Sequence, residues 1–140
     1  MAVTSILAQR VVRALAASTA ATRRWRAVLL GLVVVVSYLT LTSKPLPSID
    51  FGWDKLNHML AFTALSFSAY LGYPASRTTR FFLLAALVAF GGLIEVLQMF
   101  VPSRSSEWGD LIADSIGVAC GAVIAANVSR MVSSLSRHWH

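Results

Sequence analysis

Four long apolar runs, separated by short polar segments, organise this chain. They lie at roughly Trp25 to Thr42, Leu56 to Tyr73, Thr79 to Val101 and Leu111 to Val128. Each approaches the length of about 20 residues that a helix needs to cross about 30 Å of hydrocarbon. The first has GLVVVVSYLTL at its heart, a valine-rich stretch that would read as a buried strand in water but suits a lipid-facing helix. Lipid cannot satisfy open backbone groups, and the sequence lacks the many alternating strands of a barrel. The pattern therefore predicts an all-α protein, a four-transmembrane-helix bundle. Proline and glycine mark the ends. KPLPSIDFGWD, held extended by Pro45 and Pro47, follows the first run, GYPASR follows the second, and VPSRSSEWGD leads into the fourth. Asp110 is placed to cap the fourth helix or to sit in its first turn.

Composition agrees with this reading. Of 140 residues 56% are hydrophobic and 13% charged, against about 25% charged in a soluble domain. A disordered chain, a DNA-binding arm and an ordinary soluble enzyme are excluded. One cysteine, Cys120, leaves no disulfide framework. The net charge of +6 speaks of topology rather than of nucleic acid. Arg10, Arg13, Arg23, Arg24, Arg26, Arg77, Arg80, Arg130 and Arg137 fall on one side of the spans, and only Lys44, Lys55 and Arg104 on the other. The positive-inside rule then sets both termini of this multi-pass protein in the cytoplasm. Residues 1–24 form a basic N-terminal tail or an interfacial helix, with Ile6, Leu7, Val11, Val12 and Leu15 on one face and Arg10 and Arg13 on another. Residues 25–129 make the bundle, and 130–140 a short cytoplasmic tail. No cleaved signal peptide is expected.

The acidic residues carry the functional information. Asp50, Asp54, Glu95, Glu107, Asp110 and Asp114 all lie on the outward side or in the outer half of a span. Asp54 and His58 are four apart, Glu95 and Gln98 three apart, and Asp110 and Asp114 four apart, so each pair shares a helix face. Three helix ends thus bring polar pairs to one membrane depth. Glu95 and Asp114 lie inside the apolar stretches, where an ionisable group must face the bundle interior and find a partner. Arg104 is the first candidate partner, then His58 and Lys55. Simpler roles compete: Asp54 and Asp110 as helix caps, Lys55 reaching to the interface, and Glu107 and Asp50 as solvated loop. Trp25, Trp53 and Trp108 read as interface anchors, Gly117 and Gly121 as a close-packing pair, and His138 and His140 as an exposed tail.

Three segments, DKLNHMLAF (Asp54–Phe62), EVLQMFVPSR (Glu95–Arg104) and DLIADSIGVACG (Asp110–Gly121), together resemble the VanZ-like family of small bacterial membrane proteins. The family pattern is Asp-Lys-x-x-His, then Glu-x-x-Gln with Pro-x-Arg, then Asp-x-x-x-Asn-x-x-Gly. Asp54, Lys55 and His58 match the first motif, Glu95, Gln98 and Arg104 the second, and Asp110 and Gly117 the third. Asp114 departs, standing where the family usually has Asn, and adds an acidic group beside Glu95 and Asp110. The resemblance implies four helices, a role at the cell envelope and, in some members, reduced susceptibility to teicoplanin.

Three functions compete. In the first, an accessory protein binds a lipid-linked cell-wall precursor or an anionic lipid headgroup, with Lys55, His58 and Arg104 meeting phosphate and Glu95, Gln98, Asp110 and Asp114 completing the site. In the second, an enzyme acts on an envelope lipid through Asp54, His58, Glu95 and Asp110, as general acid and base or as oxygen and nitrogen ligands of a divalent metal. In the third, an ion-coupled transporter subunit works through Glu95 and Asp114, which at this size requires a homo-oligomer. No complete metal motif or nucleophile signature is present, so neither a metal nor another cofactor is expected.

Overall fold

The computed structural model describes the backbone of residues 2–42, 54–74, 76–102 and 107–138, and the side chains of 19–42, 55–74, 76–102 and 107–132. Four helices follow one another: α1 (Ala2–Leu41), α2 (Asp54–Gly72), α3 (Arg77–Gln98) and α4 (Trp108–His138). No strand occurs among the described residues. The basic segment before the first apolar run is continuous with it in a single 40-residue helix, and α4 likewise runs past the fourth apolar run to His138.

Three helical segments are long and apolar enough to cross a membrane: Thr19–Leu41, Arg77–Gln98 and Trp108–Val132. Their large side chains point outward, with Leu30 and Phe81 each 67% exposed and Val34, Phe82, Val123 and Ile124 also on the surface. In a soluble domain that much exposed apolar area would drive association; here it is the surface lipid covers. The interior is correspondingly polar for a bundle core. Phe62, Leu65 and Ile94 are buried beside His58, Ser66, Ser68, Glu95, Asp110 and Asp114.

Helix α2 is the less apolar helix because the others enclose it. It lies along α4 over most of its length and along α1 on its other flank, while α3 closes against α4 and α1. The close approach of α2 and α4 depends on two glycines. A Cβ on Gly117 would strike the Met59 carbonyl, and one on Gly121 the Thr63 carbonyl. With the backbones this near, Ser66 Oγ donates to the Val118 carbonyl of α4 at 2.7 Å. The small-residue pair read from the sequence thus packs α4 onto α2.

The two ends of the bundle differ in charge. At one, Arg26 Nε donates to the Gly72 carbonyl at 2.8 Å and its guanidinium lies 4.6 Å from the Tyr73 ring, while Arg80 donates to Tyr70 Oη at 2.9 Å. Cations there meet the carbonyl end of α2, the favourable end for positive charge. Ser76 caps α3 at the same end, accepting from the Thr79 N–H at 3.2 Å. At the opposite end Gln98 Nε2 donates to the Thr40 carbonyl at 3.0 Å and ties α3 to α1. Successive helices therefore run up and down.

Gly121→Ala is expected to lower stability by about 1–3 kcal/mol, the usual cost of an overpacked contact, in thermal or denaturant unfolding in detergent. Gly31→Ala, where an added Cβ meets nothing within 4 Å, is the control and should leave stability unchanged or slightly raised.

Candidate functional site

The first turns of α2, the last turns of α3 and the first turns of α4 meet at the end away from the arginines. They supply Lys55 and His58, then Glu95 and Gln98, then Asp110 and Asp114. Helical spacing puts the two residues of each pair on one face, and bundle packing turns those faces inward.

His58 and Asp114 form the centre. Their side chains are 5% and 0% exposed, and Nδ1 of the imidazole lies 3.0 Å from Asp114 Oδ1. With Asp114 ionised, the Nδ1–H donates, which fixes the ring's tautomer and orientation. Space for Asp114 comes from Gly91, where a Cβ would stand 2.6 Å from Asp114 Oδ2. That second oxygen is buried and meets no hydrogen-bond donor among the described residues. Glu95 is buried and accepts the Glu107 N–H at 3.2 Å through Oε2. Lys55 bridges Glu107 at 2.7 Å and Asp110 at 3.7 Å. The hydrogen bond and charge of Lys55 hold the Glu107 carboxyl below its ordinary value. One ligand atom each from His58, Glu95 and Asp110 lies within 4.8 Å of the others.

A cavity of about 140 Å³ opens beside this cluster between α3 and α4. Gly92, Glu95, Val96, Met99, Glu107, Trp108 and Leu111 line it, and its surface is almost wholly apolar.

The structure therefore brings together Lys55, His58, Glu95, Asp110 and Asp114 from the residues singled out in the sequence. Gln98 is at the same level, but its amide serves the Thr40 carbonyl. Asp54 opens α2 one turn before His58, and its side chain lies outside the described residues, as do Arg104, Asp50 and Trp53. Two expectations change, and one alternative is decided. Glu107 is more than solvated loop, because it pairs with Lys55 and its N–H supports Glu95. Asp110 takes the second of its two expected places, inside the first turn of α4, and is 2% exposed. Trp25 packs edge-on against Phe67 at 5.3 Å, whereas Trp108 is 83% exposed, as an interface anchor requires. The His58–Asp114 contact spans 56 positions, and no local spacing announces it.

These features define a class: small helical membrane proteins with an acid–histidine cluster buried between the helices at one end. Within it, the chain belongs to the VanZ/LLP1 family, whose family model matches residues 6–130. No curated protein and no solved structure matches the chain.

Removing one member of a buried pair leaves the other uncompensated, at a typical cost of about 3–5 kcal/mol. His58→Ala and Asp114→Ala should each destabilise the protein on that scale. The double variant should lose much less than the sum, and Asp114→Asn, whose amide oxygen still accepts from Nδ1, should lose least. Unfolding of the four variants in detergent measures the coupling.

Proposed function

We propose that the chain is a multi-pass protein of the bacterial plasma membrane whose buried cluster receives the polar head of an amphiphilic envelope lipid. All four helices cross the bilayer, α2 included, because its two ends stand level with the ends of its apolar partners. The arginine-rich end lies in the cytoplasm and the acid–histidine end at the outer leaflet.

One observation carries the lipid reading: the lining of an apolar slot between α3 and α4 includes Glu95, a member of the buried polar cluster. A lipid is the molecule with both an apolar part for the slot and a polar part for the cluster. The charge balance refines the head. Lys55 is engaged by Glu107 and Asp110, so it is poorly placed to meet phosphate alone. Among the described side chains of the cluster, carboxylates outnumber cations. A head with donor groups enters directly, and a phosphate head requires a cation between it and the acids. The accessory binding role follows, with susceptibility to teicoplanin as the phenotype through which an effect on such a lipid is read. The His58–Asp114 pair favours a second reading, acid–base catalysis on the bound head, since an imidazole oriented by a carboxylate is suited to proton transfer.

Proteoliposomes carrying a diazirine-tailed phospholipid test the slot. Labelling is expected at Leu111, the partly buried slot residue that a side chain at position 92 would meet, and should fall severalfold in Gly92→Trp, which fills the slot. Labelling at Leu93, which is 53% exposed on the outside of α3, should persist. Unchanged labelling of Leu111 in Gly92→Trp defeats the reading. Orientation is checked separately in a Cys120→Ala background. An impermeant maleimide should reach Ser48→Cys in intact cells and Ser136→Cys only after lysis.

A further inference from the structure

We propose that His58, Glu95 and Asp110 bind a divalent first-row transition ion, with Asp114 as the residue that positions the imidazole. The proposal deepens the lipid-head reading and supplies the cation that a phosphate head needs.

Three independent features meet at this point. The first is convergence: one nitrogen and two oxygen ligands, from three different helices, lie within 4.8 Å of one another, and all three residues are buried. Ligands about 2.1 Å from an octahedral ion stand about 3–4 Å apart, so side-chain movements of about half an ångström close the set. The second is orientation. Asp114 holds His58 through Nδ1, which makes Nε2 the nitrogen that binds. A carboxylate on the far side of a ligating imidazole is the usual support of a metal-bound histidine, and it raises the basicity of the ligand. The third is charge. Glu95, Asp110 and Asp114 are all buried, and the one cation among the described side chains of the cluster, Lys55, is shared between Asp110 and Glu107. A doubly charged ion would balance the two ligating carboxylates, with Asp114 left to the imidazole it orients. The mixture of imidazole and carboxylate suits Mn²⁺, Fe²⁺ or Zn²⁺ better than Ca²⁺ or Mg²⁺, which prefer oxygen alone. Glu95, one of these ligands, also lines the slot between α3 and α4, which sets the proposed ion beside the proposed lipid site.

Mn²⁺ is the probe. The full-length chain, in phosphatidylcholine nanodiscs after EDTA treatment and buffer exchange, is titrated with Mn²⁺ and followed by electron paramagnetic resonance. One ion per chain is expected, with electron-spin-echo modulation from an imidazole nitrogen, a signature read on the unmutated protein and so independent of any variant's folding. Glu95→Gln and Asp110→Asn should weaken binding at least tenfold, and Asp114→Ala about 10–100-fold, as loss of a supporting carboxylate does. Glu107→Gln removes an acid that pairs with Lys55 and is not a ligand, and should weaken binding less than Glu95→Gln does. Absence of stoichiometric Mn²⁺, absence of the nitrogen modulation, or equal weakening by Glu107→Gln and Glu95→Gln overturns the site. Diazirine labelling of Leu111 in the EDTA-treated protein separates the two ideas. If Mn²⁺ fails to bind while Leu111 is still labelled, the metal site falls and the lipid slot stands.

Discussion

A carboxylate surrounded by hydrocarbon must share its charge with a proton, a cation or a set of donors. The rest of this structure is arranged around that constraint. Asp114 is completely enclosed, Glu95 and Asp110 nearly so, and each finds its compensation outside its own helix: the imidazole of α2, the Glu107 amide before α4, and Lys55 of α2. The acids therefore act as fasteners between helices as well as candidate chemistry. Greasy side chains alone would leave helix association in lipid with little driving force, because acyl chains are as apolar as leucine.

The same constraint explains which residue types occupy α2. A helix bathed in lipid on all sides could not carry Asn57, His58, Thr63, Ser66 and Ser68. Because α4 lies so close along it and α1 covers another flank, those side chains meet protein. The glycines of α4 set this distance, and Gly91 of α3 makes the equivalent concession to the carboxylate of Asp114. Packing and polarity are coupled: the near approach of backbones permits the buried polar pairs, and those pairs hold the backbones near.

Much of this was legible in the sequence because helix length, charge asymmetry and i, i+4 spacing are local properties. The four helices follow from their apolar runs, and the meeting of Lys55, His58, Glu95, Asp110 and Asp114 follows from three polar pairs at matching helix ends. What stayed hidden depended on rotation of one helix about another. The pairing of His58 with Asp114 rather than with Asp110, the attachment of Gln98 to the Thr40 carbonyl and the place of Gly91 beneath Asp114 are fixed only when α2, α3 and α4 are set at their mutual angles. Glu107 was underestimated for a related reason: a loop carboxylate looks solvated until Lys55, 52 positions away, is seen beside it.

The bond from Ser66 to the Val118 carbonyl lies midway along the contact between α2 and α4, where the glycines have already removed the space for sliding. Those two helices behave as a fixed post. Helix α3 is held at both ends, by Arg80 on the Tyr70 hydroxyl at one and by Gln98 and the Glu95–Glu107 contact at the other. Because α3 supplies one wall of the slot, its packing against that post sets how wide the slot stands.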